Sequence, residues 1–220
     1  MDWTAIWLTL RLALSTTAIL LVLGLPLACW LASSRWRLKF VVEAIVALPL
    51  VLPPTVLGFY LLMALGANGP IGRFVQSVTG GTLPFTFAGI LIGSVIYNLP
   101  FAVRPFAASF SSVDRRLIEA SWSLGVSRAG TFFRVTVPLS RAGILAGLVL
   151  TFAHTVGEFG VVLMVGGNIP DVTRTISIAI YDDVQALNYQ AAGQTSLLLL
   201  GFAFSVLAAT YALQRRAIPI

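Results

Sequence analysis

Apolar residues run through this chain in long stretches that no charge interrupts. Asp, Glu, Lys and Arg are all absent from 12–32, 44–72, 74–103 and 184–214. A helix that crosses a bilayer needs about 20 predominantly apolar residues, and each interval is long enough. A further apolar run follows Arg141 and is broken only by Glu158. The pattern predicts an all-α integral membrane protein, one transmembrane domain over 1–220. Five transmembrane helices are expected, at about 5–32, 42–66, 83–105, 139–165 and 191–213. Between them lie a short basic turn, a Gly/Pro-rich external loop at about 67–82, and a polar loop at about 106–138. A mixed external loop at about 166–190 completes the chain, with 177–189 expected as a weakly amphipathic surface helix.

Composition excludes a soluble globular fold. Hydrophobic residues make up 58% and charged residues 10% of the 220, against roughly a quarter charged in an ordinary soluble domain. The formal net charge is +6, which in a soluble chain would suggest nucleic acid or anionic lipid. Here its distribution is what matters, and membrane lipid rather than nucleic acid is the expected surrounding. Arg35, Arg37, Lys39, Arg104, Arg115, Arg116, Arg128, Arg134, Arg141, Arg215 and Arg216 fall on one side and Arg73 and Arg174 on the other, with Arg11, near the start of the first span, unassigned. Lys/Arg excess marks the cytoplasmic side. The polar loop and the C-terminus are therefore expected inside and the N-terminus outside, which requires an odd number of spans. Cys29 is the single cysteine, so no internal disulfide is possible. The start Met1-Asp2-Trp3 lacks the basic stretch and small-residue cleavage site of a removable signal, so the first run is expected to stay in the membrane.

The second span carries Pro49, Pro53 and Pro54, followed by Thr55. Each proline removes a backbone donor and clashes with the preceding turn, and the carbonyls it frees must find partners in neighbouring helices or a wet cavity. These four residues are candidates for a pore or gate, with a purely structural kink as the competing reading. The prolines cluster in one helix, without the paired broken segments of an inverted repeat.

The polar loop carries the most chemistry. Asp114 can cap a short helix that Gly125 ends, Arg115 and Glu119 are spaced to pair, and Leu117, Ala120 and Leu124 share a face. Ala120 and Ser121 are small enough for another surface to approach, and Pro138 suits the first turn of the next helix. Chemistry alone leaves two readings open, a helix lying on anionic lipid and a helix docked on a protein.

The spacing of this run resembles the cytoplasmic loop of the binding-protein-dependent ABC importer permeases. Their pattern is Glu-Ala-Ala, three residues, Gly, nine residues, Ile, one residue, Leu-Pro. Here it reads Glu119-Ala120-Ser121, three residues, Gly125, nine residues, Val135, Thr136, Val137-Pro138, departing at Ser121, Val135 and Val137. Two other stretches resemble the molybdate permeases of that family. One is Leu-Pro-Leu-Val-Leu-Pro-Pro-Thr-Val-Leu-Gly at 48–58. The other is Gly157-Glu158-Phe159-Gly160 with Gly167-Asn168-Ile169-Pro170 and Thr173-Arg174-Thr175-Ile176. Sulfate and tungstate permeases carry variants of the same motifs and are the alternatives.

The resemblance implies a type I importer permease fold in a bacterial inner membrane and a homodimer working by alternating access. It implies a cytoplasmic ABC ATPase dimer, in whose clefts the short helix sits through Glu119, Ala120, Ser121, Leu124, Gly125 and Pro138. It also implies a periplasmic oxyanion-binding protein. No cofactor is expected in this chain. ATP and Mg would be bound by the partner, since there is no Gly-x-x-x-x-Gly-Lys-Ser/Thr phosphate loop.

Two polar groups remain. Glu158 lies twenty residues beyond Pro138, so at 1.5 Å per residue it sits about 30 Å along the span, toward the outer side. A carboxylate cannot attract a dianion, so Glu158 reads as a hydrogen-bonding or gating residue. With His154 one turn earlier it could also serve an intramembrane enzyme, but His-Glu-x-x-His and Gly-x-Ser-x-Gly motifs are absent and no metal site is expected. Thr173, Arg174 and Thr175 are the candidate external anion contact, with a plain loop charge or a binding-protein contact as competing readings.

Overall fold

A computed structural model describes residues 2–217, leaving undescribed the side chains at 211 and 213–217. The C-terminal cations Arg215 and Arg216, expected on the inner side, therefore lie outside the described side chains. Among the described residues every element is helical. Helix α1 (Trp3–Ser33) is capped by Asp2, whose carboxylate accepts from the Ala5 N–H. Helices α2 (Lys39–Val51) and α3 (Pro54–Leu65) follow, then α4 (Pro70–Thr79) and α5 (Phe87–Ser111). The polar loop holds α6 (Arg115–Ser123), then α7 (Arg128–Thr131), a π-helical turn (Phe132–Thr136) and α8 (Val137–Leu139). Helices α9 (Arg141–Val156), α10 (Gly160–Gly166), α11 (Ile176–Gln185) and α12 (Tyr189–Ala217) complete the described chain.

Among the described residues, α1, α5 and α12 are each long and apolar enough to cross a membrane alone, and two bent pairs bring the number of candidate spans to as many as five. The bent pairs correct the sequence reading. The second span is not one helix over 42–66: α2 and α3 meet at 114°. Leu52 and Pro53 both precede a proline, a position driven from helical to extended backbone, and their ψ angles are 135° and 136°. Two consecutive extended residues turn the chain, and Pro54 restarts it at the first helical position, where its missing N–H costs nothing. Pro49 stays inside α2 and is buried.

The fourth span is likewise not one helix over 139–165. Its first helix begins at Arg141, where the α7–α8 rod meets α9 at 74°. Its far end is interrupted between Val156 and Gly160. The Gly/Pro-rich stretch at 67–82, expected as a loop, contains a helix: Gly69-Pro70 starts α4 and Gly80 at φ +71° ends it. The surface helix expected at 177–189 is present as α11, over Ile176–Gln185, with Ile176 and Ile178 buried.

Helix α5 is central, packing on α1, α2, α9 and α10. Its Phe106 is fully buried among Leu20, Ala28, Val103 and Ile144, and glycines on the flanking helices make room for it. A Cβ at Gly147 would lie 2.6 Å from Phe106 Cε1, and one at Gly143 would lie 2.3 Å from Ser109 Cβ. Ser109 and Ser140 each donate to the other's carbonyl, at 3.1 and 3.2 Å, tying the end of α5 to the start of α9. Gly147→Val is expected to lower the melting temperature of the detergent-solubilised protein, since overpacking a tight contact costs about 1–3 kcal/mol. An unchanged melting temperature would show that α5 and α9 can part freely.

Large side chains on α1, α2, α3 and α12 stay uncovered, among them Trp7, Val22, Ile45, Tyr60, Leu197 and Phe204. Such faces suit lipid or a second copy, because apolar surface is stable where water is absent.

Candidate coupling loop and intramembrane polar node

Helix α6 forms as its sequence predicts. The Asp114 carboxylate accepts from the Arg116 N–H at 2.9 Å, and Arg115 Nε donates to Glu119 Oε1 at 2.8 Å. The helix closes when the Gly125 and Val126 N–H groups bond back to the Trp122 and Ser121 carbonyls, at 2.9 and 3.1 Å. That closure requires φ +79° at Gly125, the left-handed region that only glycine enters without strain. Ser127 caps the returning segment through the Gly130 N–H.

A hydroxyl pair, Ser121 Oγ and Thr131 Oγ1 at 2.9 Å, is buried and joins α6 to α7. Ser121 thus fastens the loop from within. Outside, Leu124 is 82% exposed, with Trp122, Leu117 and Phe133 also uncovered. An apolar tip held on a rigid, capped turn is what a protein cleft can grip. Pro138, lacking an N–H, sits in α8, and the Val137 N–H reaches back to the Phe132 carbonyl across the π turn. The rod from Arg128 to Leu139 therefore links the loop directly to α9 at Ser140.

In the half away from the polar loop, the two broken spans meet. A Cβ on Gly160 would lie 2.8 Å from Pro54 Cβ and 3.4 Å from the Thr55 nitrogen, and one on Gly58 would lie 2.7 Å from Met164 Cβ. The absence of those side chains lets α3 lie tightly on α10, bringing the Pro53-Pro54 turn against the Gly157–Gly160 break. Thr55 and Pro53 face outward there, while Pro54 is half-buried.

Beside this junction lies a polar node. Glu158 is 3% exposed, and its Oε2 accepts from Asn98 Nδ2 at 2.9 Å. Asn98 Nδ2 also donates to the Ser94 carbonyl at 2.9 Å, and Asn98 Oδ1 faces His154 Nδ1 at 2.8 Å. Two acceptors around Nδ2 fix the amide orientation, so Oδ1 is the acceptor and His154 Nδ1 carries a proton. His154 stacks on Phe101 with ring centres 3.9 Å apart, and Tyr97 lies 5.1 Å away on a tilt.

His154 and Glu158 are thus joined through Asn98 rather than to one another. Glu158 Oε1 and Ser94 Oγ are buried without a hydrogen-bond partner among the described residues. Asn98 was missed in the sequence. Its signal was an amide inside a charge-free span, a group that needs a partner away from water.

The external cluster differs from expectation. Thr173 and Thr175 are 0% and 1% exposed, so neither offers a donor at an open surface. Thr173 Oγ1 donates to the Gly166 carbonyl at 2.7 Å and accepts from the Ile169 N–H at 3.2 Å, folding the loop on itself. Arg174 Nε donates to Asn168 Oδ1 at 2.7 Å, with Asp182 Oδ2 3.6 Å away. Asn168 Nδ2 bonds both Asp182 oxygens at 2.8 and 2.7 Å. The cation is therefore largely engaged within its own loop. Nearby, burial pushes the Asp2 carboxyl up, but the Ala5 N–H, the Thr4 hydroxyl and the Arg174 charge outweigh it and hold the carboxyl below its ordinary value. The stability this cap gives α1 is present above that ordinary value and is lost as pH falls through the lowered one.

Comparison with known proteins bears on the whole chain. Residues 24–218 match the family described as "Binding-protein-dependent transport system inner membrane component". The chain belongs to this family. This inner membrane component is 52% identical over 214 residues to the molybdenum transport system permease protein ModB of Azotobacter vinelandii, covering 97% of the chain and 95% of that protein. It is 32% identical over 206 residues to the protein of the same name in Escherichia coli K12, covering 94% and 90%.

Among solved structures it resembles a bacterial ABC transporter that imports the acidic polysaccharide alginate, with a TM-score of 0.79 and 18% identity over 98% of this chain and 79% of that one. It also resembles the MetNI methionine ABC transporter in an inward-facing form, with a TM-score of 0.75 and 20% identity over 98% and 95%. The expected permease family is thereby shown, and the all-helical fold is that of ABC importer membrane subunits.

Proposed function

We propose that the chain is the transmembrane permease subunit of an ATP-driven molybdate importer, working as a homodimer. The single observation that carries the reading is the 52% identity to the A. vinelandii molybdenum permease across 97% of the chain. ATP and Mg belong on a separate cytoplasmic ATPase dimer, which grips the loop at Glu119, Ala120, Leu124 and Gly125, while the buried Ser121 braces the loop from within and Pro138 joins it to the fourth span. The exposed apolar tip at Leu124 and Trp122 supports that docking.

A periplasmic binding protein would deliver the oxyanion to the outer face, and the charge distribution supports an inward-facing loop and an outward N-terminus. Pro53, Pro54, Thr55 and Glu158, gathered at the junction of the two broken spans, are the proposed gate, with Pro49 as a buried support in α2. Arg174 has its Nε engaged by Asn168, which favours a brace of the outer loop over an anion contact.

Selectivity between tetrahedral dianions tests the cargo. In proteoliposomes holding permease, ATPase and binding protein, labelled molybdate uptake is expected to require ATP. Unlabelled molybdate should compete at least tenfold more strongly than sulfate. Stronger competition by sulfate would reassign the chain to the sulfate permeases, and equal competition by tungstate would make the site one for both metals.

A further inference from the structure

We propose that Asn98 is a positioning residue that ties the last turn of α9 to Glu158 inside the α9/α10 break, so that motion entering α9 from the polar loop is carried through the break to α10 and α3. The inference rests on the importer reading above and adds the element that transmits its motion. Three observations meet at this amide. Its Oδ1 takes His154 in the last turn of α9, at 2.8 Å. Its Nδ2 holds Glu158, within the break, at 2.9 Å. The same Nδ2 is anchored to α5 itself through the Ser94 carbonyl. One side chain therefore bridges a point where the helical ladder is interrupted between Val156 and Gly160.

What lies on either side of the clamp gives it a use. On the inner side α9 starts at Ser140, where the rod from the polar loop ends, and is bonded to α5 through Ser109. On the outer side α10 carries α3, because Gly160 and Gly58 leave no room between them. A swing of the rod can rotate α9, but without the clamp residues 157–159, tied back to α9 by the long Gly157 and Glu158 N–H bonds to the Ala153 and Thr155 carbonyls at 3.4 and 3.2 Å, would absorb the rotation. With it, α10 and α3 follow. The buried Glu158 Oε1, without a partner here, is free to take a different donor when the junction is rearranged.

The measurement is molybdate delivered per ATP hydrolysed, in proteoliposomes of the full complex. Asn98→Ala removes both grips and is expected to lower that ratio at least fivefold, as is Glu158→Leu. Glu158→Gln keeps an oxygen that accepts from Asn98 and is expected to keep a ratio at least twofold above that of Glu158→Leu. A merely structural role would reduce uptake and hydrolysis together and leave the ratio alone. The proposal is overturned if Asn98→Ala keeps the parent ratio, or if Glu158→Gln falls as far as Glu158→Leu. That second pair decides the matter even where Asn98→Ala fails to accumulate. Uptake by the unaltered complex tests the importer reading separately.

Discussion

Gly125→Val is expected to reduce substrate-stimulated ATP hydrolysis by the assembled complex at least tenfold while leaving the permease inserted in the membrane. The reason is backbone conformation and not crowding, since a Cβ at Gly125 would meet no atom within 4 Å. At φ +79° an L-residue pays about 1–2 kcal/mol, and a β-branched one pays more. The valine would relax toward negative φ and pull apart the Gly125 and Val126 bonds that close α6. Leu124, one residue earlier and 82% exposed, would then leave its place on the tip. Asparagine tolerates this region, so Gly125→Asn should retain most of the stimulation. Full stimulation in the valine variant would show that the loop is not where the ATPase acts.

Gly160→Val is expected to abolish oxyanion uptake, by at least tenfold, with the amount of co-purifying ATPase unchanged. Its Cβ would lie 2.8 Å from Pro54 Cβ, and a proline ring in the first turn of α3 has no rotamer by which to withdraw. Overpacking of this kind costs about 1–3 kcal/mol, and the least costly relief is to lift α3 off α10, which opens the junction between the broken spans. The inner loop is built from separate residues and stays intact. Loss of the ATPase along with uptake would mean that the two ends of the molecule fold as one unit.

Particular residues show how far the sequence could be read. The α6 cap at Asp114, the Arg115–Glu119 pair and the left-handed Gly125 were all legible because each depends on neighbours within a turn or two. The long spans α1, α5 and α12 were legible for a similar reason: a run of apolar residues states its own solvent. Breaks were harder. Three prolines signalled a disturbance in the second span, but a kink in one helix and a 114° turn between two look alike in a string of letters. Gly157 and Gly160 in the fourth span were visible as a motif, yet nothing local says whether glycine there serves a turn or a close approach. Thr173 and Thr175 read as open donors because hydroxyls near an arginine resemble an anion cradle, and their burial is not written in the string.

By itself, then, the sequence determined the solvent, the family and the local build of the polar loop. These follow from composition, short-range spacing and motif order, all of which are carried along the chain. Only the tertiary structure decided that the two breaks touch, that Asn98 stands between His154 and Glu158, and that Arg174 is engaged by Asn168 beside Asp182. Asn98 is separated from those two partners by 56 and 60 residues. A contact over such a distance is set by how α5, α9 and α10 pack, through the space that glycines leave open.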